Sequence, residues 1–384
     1  MKRAAGMILA AALLLALPVT GYALEPEQAG KSGVLMELET GTILYEWNAR
    51  EALPPASVTK IMTMLLVMEA VDSGKISITD TVTASEAAAA KGGSQIFLKV
   101  GEQMSVSDML KSVAVSSAND CACALAEYLA GSEEAFVVQM NRRAEELGME
   151  DTHFVNCTGL DDSPEAKDHR TSARDIAIMS RQLLKYHPDI TKYTTIWMDT
   201  VRGGSFGLSN TNKLIRFYPG ATGLKTGFTR GAGYCLSATA QRENLHLIAV
   251  VMGCESGKIR NAACKGLLDY GFANYALARA EIPEDLTLPV KLGSQDQVKL
   301  TLGDSGAVLT EKSNLSGLTT RLELRNDCPA PVTAGEPMGT AVLLSGTKEL
   351  GRFPLLAAED VPRLTLPQLY GKILRQAAMG SART

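Results

Sequence analysis

The sequence has no excess of basic charge: 38 lysines and arginines stand against 42 aspartates and glutamates, for a net charge of −4. No global reason to expect nucleic acid remains, so no nucleic-acid partner is expected. There is no repeated Cys-x-x-Cys, which removes the usual signal for a zinc ribbon; no metal and no cofactor are expected. No internal repeat and no low-complexity tract interrupts the chain. Neither terminal apolar run is suited to crossing a bilayer and staying there. What is present is a globular composition, 46% hydrophobic and 21% charged, over 384 residues. That length is enough for two or three domains.

The N-terminus opens with "MKR", continues with the apolar "MILAAALLLALPV" and ends in small residues at Ala23. This is the pattern of a signal peptide cleaved after Ala23; a retained N-terminal anchor is the alternative. Under either, the bulk of the chain leaves the cytoplasm. Seven cysteines in an exported chain leave at least one unpaired. Cys121 and Cys123 lie two apart in an expected helix, where their side chains diverge. The preferred reading is of buried cysteines acting as small hydrophobes. A disulfide among Cys157, Cys235, Cys254, Cys264 and Cys328 stays open.

From residue 32, "SGVLMELETGTILYEWNA" predicts two strands with a turn at Thr40-Gly41. Helical patterns then dominate to about residue 187. One ends at Gly131 and another at Gly148, while a third starts on Ser172 and Asp175 and stops at Pro188. "GYCLSATAQRENLHLIAVVMG" predicts a hairpin turning near Arg242–Asn244, and "RNAACKGLLDYGFANY" a further helix. Strands at both ends with helices between predict an α+β domain whose terminal strands share one antiparallel sheet. Prolines take over near 280–290, and "QVKLTLG", "TTRLELR", "GTAVLLSG" and "LGRFPLL" alternate as short strands of a small all-β domain. The expected layout is a signal peptide over 1–23, a catalytic domain over 24–285, the β domain over 286–361 and a tail over 362–384. In the tail, Leu366, Leu369, Tyr370, Ile373, Leu374 and Ala377 form one apolar helix face, with Lys372 and Arg375 off it. The preferred reading is an interfacial anchor on a membrane surface; a helix docked on its own protein is the alternative.

Chemistry is concentrated first in "PPASVTKIMT". Ser57 and Lys60 are three apart, on one face of a helix, at its N-terminus, where the helix dipole favours negative charge on oxygen. A neutral lysine amine can take the serine proton if burial or another cation lowers its pKa. Alone, Ser-x-x-Lys is weak, with about one match per chain of this length by chance. A second copy, Ser345–Lys348, lies between short strands with no helix behind it and reads as a loop. Two further motifs give the first copy its meaning. Ser117-Ala118-Asn119 is a turn between helices, and Lys225-Thr226-Gly227 is expected at the start of a strand. The three in this order form the active-site signature of penicillin-recognising serine enzymes.

With "HFVNCTGLDD", "TSARDIA" and "GKIRNAACKGLLDYGF", the chain resembles the low-molecular-weight penicillin-binding proteins, and more narrowly the serine-type D-alanyl-D-alanine carboxypeptidases. The likeness is close over about residues 25–285 and extends to the β domain and tail in layout. It implies the penicillin-binding, serine β-lactamase-like fold. It implies removal of the terminal D-alanine from peptidoglycan stem peptides ending in D-Ala-D-Ala, with covalent inhibition by β-lactam antibiotics. By the same resemblance Ser57 is the nucleophile and Lys60 the general base. Ser117 relays a proton to the leaving amine, and the Asn119 amide binds substrate. Lys225 supplies the cation that keeps Lys60 neutral. Thr226 and Arg260 hold the substrate carboxylate. Gly227 completes the strand motif, and the N–H groups of Ser57 and Phe228 form an oxyanion hole. Some members of the family carry histidine at the position of Phe228. A class A β-lactamase needs a glutamate in Glu-x-x-Leu-Asn, and no such string lies between Asn119 and Lys225. An endopeptidase of the same family, or a non-catalytic wall-binding module, stays as a rival.

Overall fold

The computed structural model describes residues 26–326 and 328–380, with side chains to residue 374. The signal-peptide reading falls on residues 1–23, outside the described residues. A mixed α+β unit is followed by an all-β unit and a terminal helix.

The main sheet joins strands from far ends of the chain. Strands β1 (Ser32–Glu37) and β2 (Ile43–Trp47) come first, and β3 (Ala221–Thr229), β4 (Gly233–Arg242) and β5 (Leu245–Cys254) follow. They hydrogen-bond in the order β2-β1-β5-β4-β3, every pair antiparallel. The turn between β1 and β2 is fixed by Glu37, whose carboxylate accepts from the Glu39 and Thr40 N–H groups. Gly41 takes φ +74, a left-handed conformation that glycine adopts without a Cβ penalty. Successive residues face opposite sides of a strand. Val34, Met36, Val250 and Met252 therefore pack into a helical layer on one side. Leu35, Leu236, Ala249 and Val251 pack on the other, against Leu267 and Leu268 of one C-terminal helix.

The helical layer contains α1 (Lys60–Asp72), α2 (Val106–Ser116), α3 (Asn119–Ala130), α4 (Glu133–Glu146) and α5 (Ala173–Tyr186). Helix α6 (Gly257–Asn274) covers the opposite face. The apolar run of α1 has no polar side to offer solvent, and the helix lies in the middle of the layer with Ile61, Met62, Met64, Leu65 and Val67 buried. Serine caps set the starts of α2, α4, α5 and α6, whereas α3 starts on Ala118 without a side-chain cap. Ser105, Ser132, Ser172 and Ser256 each accept a backbone N–H from three residues on. A short antiparallel pairing of 81–83 with 103–105 interrupts the stretch expected to be mainly helical, and a hairpin of 198–201 with 206–209 lies beyond it.

Strand β6 (Tyr275–Arg279) pairs with β9 (Ala307–Glu311), and Ala278 and Ala280 already belong to a third core. A five-stranded antiparallel sheet holds the rest. It comprises β7 (Thr287–Pro289), β8 (Gln297–Leu302), β10 (Leu318–Leu324), β11 (Pro337–Ser345) and β12 (Lys348–Ala357). The second Ser-x-x-Lys is the β11–β12 hairpin turn, where Ser345 pairs with Lys348. No helix stands behind it, so its serine lacks the setting that Ser57 has. Helix α7 (Leu366–Gly380) ends the described chain, with Leu366, Tyr370, Ile373 and Leu374 exposed. All seven cysteines are buried and unpaired.

Candidate active site

A single 3-10 turn, Ala56–Thr59, leads into α1. The preceding Ala56 is held at φ +49, which costs alanine about 1–2 kcal/mol relative to the right-handed region. Ser57 does not cap the helix, and α1 has no side-chain cap at all. The Ser57 hydroxyl instead accepts from Lys60 Nζ at 2.9 Å. Lys60 donates a second bond, of 2.7 Å, to the Thr158 carbonyl. Its amine is fully buried, and that burial lowers its pKa to about 7 from 10.5, against opposing effects of Cys157 and Asp120. Of the two causes open in the sequence, burial or a neighbouring cation, it is burial that lowers it.

The S-x-N turn lies between α2 and α3 as expected. Ser117 adopts φ +63 at the end of α2. The Asn119 amide Nδ2 donates to the Gly92 carbonyl at 2.7 Å, and its backbone N–H to Ser94 at 2.7 Å. The Ser117 hydroxyl and Asn119 Oδ1 are buried with no partner among the described residues. Buried polar atoms left unpaired cost about 1–3 kcal/mol each.

Lys225-Thr226-Gly227 is not at the start of its strand. Strand β3 begins four residues earlier, at Ala221, and the motif occupies its middle and second half. Glycines at 220 and 223 mimic turn signals in the sequence, yet Gly220 lies just before the strand and the ladder with β4 passes Gly223 with a register shift between Ala221 and Gly223. Strand β3 is also an edge of the sheet. Pleating places Lys225 and Gly227 on the side of α1, and Thr226 and Phe228 on the side of α6. Gly227 packs so closely that a Cβ there would lie 2.6 Å from the Pro55 carbonyl oxygen. Lys225 is buried, and its amine donates to the Thr226 carbonyl at 2.9 Å. Burial pushes its pKa well below the usual value, and the charges of Lys60 and Arg260 push the same way. Lys60, Lys225 and Arg260 thus share one field, in which each added positive charge is disfavoured.

On the other side, Thr226 donates to Thr211 Oγ1 at 2.7 Å. Arg260, on the first turn of α6, gives Nε and Nη2 to Asn261 Oδ1 at 3.0 and 2.9 Å. It is 93% buried by accessible area and has no carboxylate partner among the described residues. Burial holds its pKa below the ordinary guanidinium value. No direct bond joins Thr226 to Arg260. Phe228, half exposed, lies 4.2 Å from Tyr234 between ring centroids, and Tyr234 in turn faces the Arg260 guanidinium at 5.9 Å.

Some contributors are not among the residues picked out from the sequence. The segment 155–159 is stitched along α1: the Cys157 carbonyl accepts from Thr63 at 2.6 Å and the Thr158 carbonyl from Lys60. Asn156 Oδ1 holds the Thr158 and Gly159 N–H groups. Asp120, fully buried, accepts from Ile96 and Leu98 and fixes the chain beside Asn119. The quoted "NCTGL" contained the signal for the first, in an asparagine and a glycine three apart. A backbone carbonyl gives none.

Residues 20–256 match the family model described as D-alanyl-D-alanine carboxypeptidase, and 281–363 match the C-terminal domain of penicillin-binding protein 5. The chain is 42% identical over 376 residues to D-alanyl-D-alanine carboxypeptidase DacF of Bacillus subtilis, covering 94% of this chain and 95% of that one. It is 34% identical to D-alanyl-D-alanine carboxypeptidase DacC of Escherichia coli, over 93% and 91% of the two chains. Among solved structures it is similar to penicillin binding protein 5 from Haemophilus influenzae, with a TM-score of 0.73 and 32% identity. That match covers 88% of this chain and all of the other.

Proposed function

This chain belongs to the D-alanyl-D-alanine carboxypeptidase family of serine peptidases, and from that premise we propose how its own residues carry the reaction. The activity is hydrolysis of the bond before a terminal D-alanine in peptidoglycan stem peptides, and β-lactams bind the same site. One observation supports the assignment of roles above the others: a fully buried amine with pKa near 7, 2.9 Å from a serine hydroxyl at a helix N-terminus.

The neutral Lys60 amine takes the Ser57 proton as Oγ attacks the carbonyl carbon of the penultimate residue. The N–H groups of Ser57 and Phe228 receive the oxyanion, a contribution of about 3–4 kcal/mol per donor in comparable enzymes. Collapse breaks the C–N bond. The proton passes from Lys60 through the Ser117 hydroxyl to the leaving amine, and D-alanine departs. Water then enters, Lys60 takes its proton, and the ester on Ser57 is hydrolysed. Asn119 and the free edge of β3 hold the substrate backbone from two sides. A β-lactam presents its ring carbonyl in the same place, but its amine stays tethered after the ring opens.

Thr226 and Arg260 read the terminal carboxylate. A guanidinium buried without an acid partner is suited to one supplied by substrate. Amidating the terminal D-alanine is therefore expected to cost about 2–4 kcal/mol, roughly 30- to 1,000-fold in kcat/KM. Equal rates on acid and amide would point to an endopeptidase instead.

The site of action is extracytoplasmic, on the outer face of the cytoplasmic membrane. No helix among the described residues is long and apolar enough to cross a membrane. The exposed face of α7, with Leu366 83% and Tyr370 67% accessible, supports an interfacial anchor in which the β unit acts as a stalk. Lys372 also contacts Asp296, a link to the β unit that an anchored helix can keep. Ile373→Asp, or truncation after Val361, is expected to keep turnover on a small peptide and lose co-sedimentation with anionic liposomes. Full-length protein that stays in the supernatant would leave α7 a docked helix.

A further inference from the structure

We propose that His169 and Thr59 are positioning residues that aim the Ser57 N–H at the developing oxyanion by fixing the plane of the Ala56–Ser57 peptide. The inference rests on the reading of Ser57 as nucleophile and of its N–H as an oxyanion donor.

A buried chain of hydrogen bonds runs from the 155–159 segment to the residue before the nucleophile. The Val155 N–H donates to His169 Nδ1 at 3.1 Å. That bond makes Nδ1 an acceptor, so the proton of the neutral ring sits on Nε2. Nε2 lies 2.8 Å from Thr59 Oγ1, to which it donates. Thr59 Oγ1 then donates to the Ala56 carbonyl at 2.8 Å. The direction is the same at every link: amide, imidazole, hydroxyl, carbonyl. His169 and Thr59 are both buried, and His169 stacks edge-on against Phe154 at 5.6 Å. Burial also lowers the His169 pKa to about 4, which keeps the ring neutral and the chain polarised one way.

The far end of this chain matters because of what shares its peptide plane. In a trans peptide the C=O of one residue and the N–H of the next point in opposite directions. Anchoring the Ala56 carbonyl toward Thr59 therefore turns the Ser57 N–H away from it. Ala56 is the residue held at φ +49, a conformation that persists only where the surroundings over-determine it. Gly159 supplies the room: a Cβ there would lie 1.9 Å from the Ala56 carbonyl oxygen and 2.7 Å from Thr59 Oγ1. The threonine of Ser57-Val58-Thr59-Lys60 is thus withdrawn from helix capping, and α1 starts without a side-chain cap.

The test separates aiming from folding. Thr59→Val keeps shape and removes the hydroxyl, while Thr59→Ser restores it. Stopped-flow acylation by penicillin should show the valine variant slowed on the order of 10- to 100-fold, less than removal of a whole oxyanion donor. Its pre-covalent binding constant should not change, and Thr59→Ser should acylate near the wild-type rate. His169→Gln, which retains one donor and one acceptor, should likewise rescue what His169→Leu loses. This pair asks the same question from the other end should the valine variant fold poorly. A structural defect would not alter the contrast between an ester substrate and its thionoester. Sulfur is a weak acceptor, so misaim should slow the ester more than the thionoester. The proposal is overturned if Thr59→Val acylates at the wild-type rate, or if ester and thionoester slow equally. A wild-type protein that carries no adduct on Ser57 would refute the nucleophile assignment instead, whatever the variants do.

Discussion

Ser57→Ala is expected to abolish release of D-alanine from a D-Ala-D-Ala-terminated peptide, a loss of about a million-fold if it follows other serine peptidases. The fold should not suffer. Ser57 caps nothing, and its hydroxyl is engaged by Lys60 alone among the described side chains. Lys60 would keep its bond to the Thr158 carbonyl. Melting temperature and intact far-UV spectra, read beside the rate, distinguish a lost nucleophile from a lost structure. A variant that still releases D-alanine at a measurable fraction of the wild-type rate would remove Ser57 from the mechanism.

Lys60→Arg gives the second large effect. A guanidinium stays charged at any working pH and cannot accept the serine proton. The loss of general-base assistance is about 100- to 10,000-fold. The pH profile supplies the sign. The amine is the base only when neutral, so with a pKa of about 7 acylation should be slow in acid and rise through that pH before levelling. An unperturbed lysine would be neutral in only about one molecule per thousand at pH 7.5, and the rise would fall near pH 10 instead. A profile flat from pH 5 to 9 in the wild type, or near wild-type acylation by the arginine variant, would leave Lys60 with a structural role only.

What the sequence could say about this site depended on whether the information was local. Ser57 and Lys60 are three apart, so helix geometry alone brings them together. The antiparallel sheet was also legible, because β1, β4 and β5 alternate or run apolar between clear turns. The register of β3 was not. Gly220 and Gly223 look like punctuation, and only the ladder with β4 shows that the strand runs through 223 to the motif. Arg260 lies 200 residues from Lys60 and was reached by resemblance, since no periodicity links a helix end to a remote strand. Electrostatics needed coordinates as well. Which of two lysines is the more perturbed, and whether burial or a neighbour does it, depends on packing from every side. The same is true of the Thr158 carbonyl and of the His169–Thr59 chain, whose partners are spread over more than 100 positions.

One covalent bond tests the assignment of Ser57 as nucleophile most directly. Wild-type protein incubated with labelled penicillin should gain the mass of one penicillin. Peptide mapping should then place that mass on Ser57, in the peptide that contains Lys60. An adduct on Ser345, at the hairpin that carries the second Ser-x-x-Lys, or no adduct at all, would contradict it.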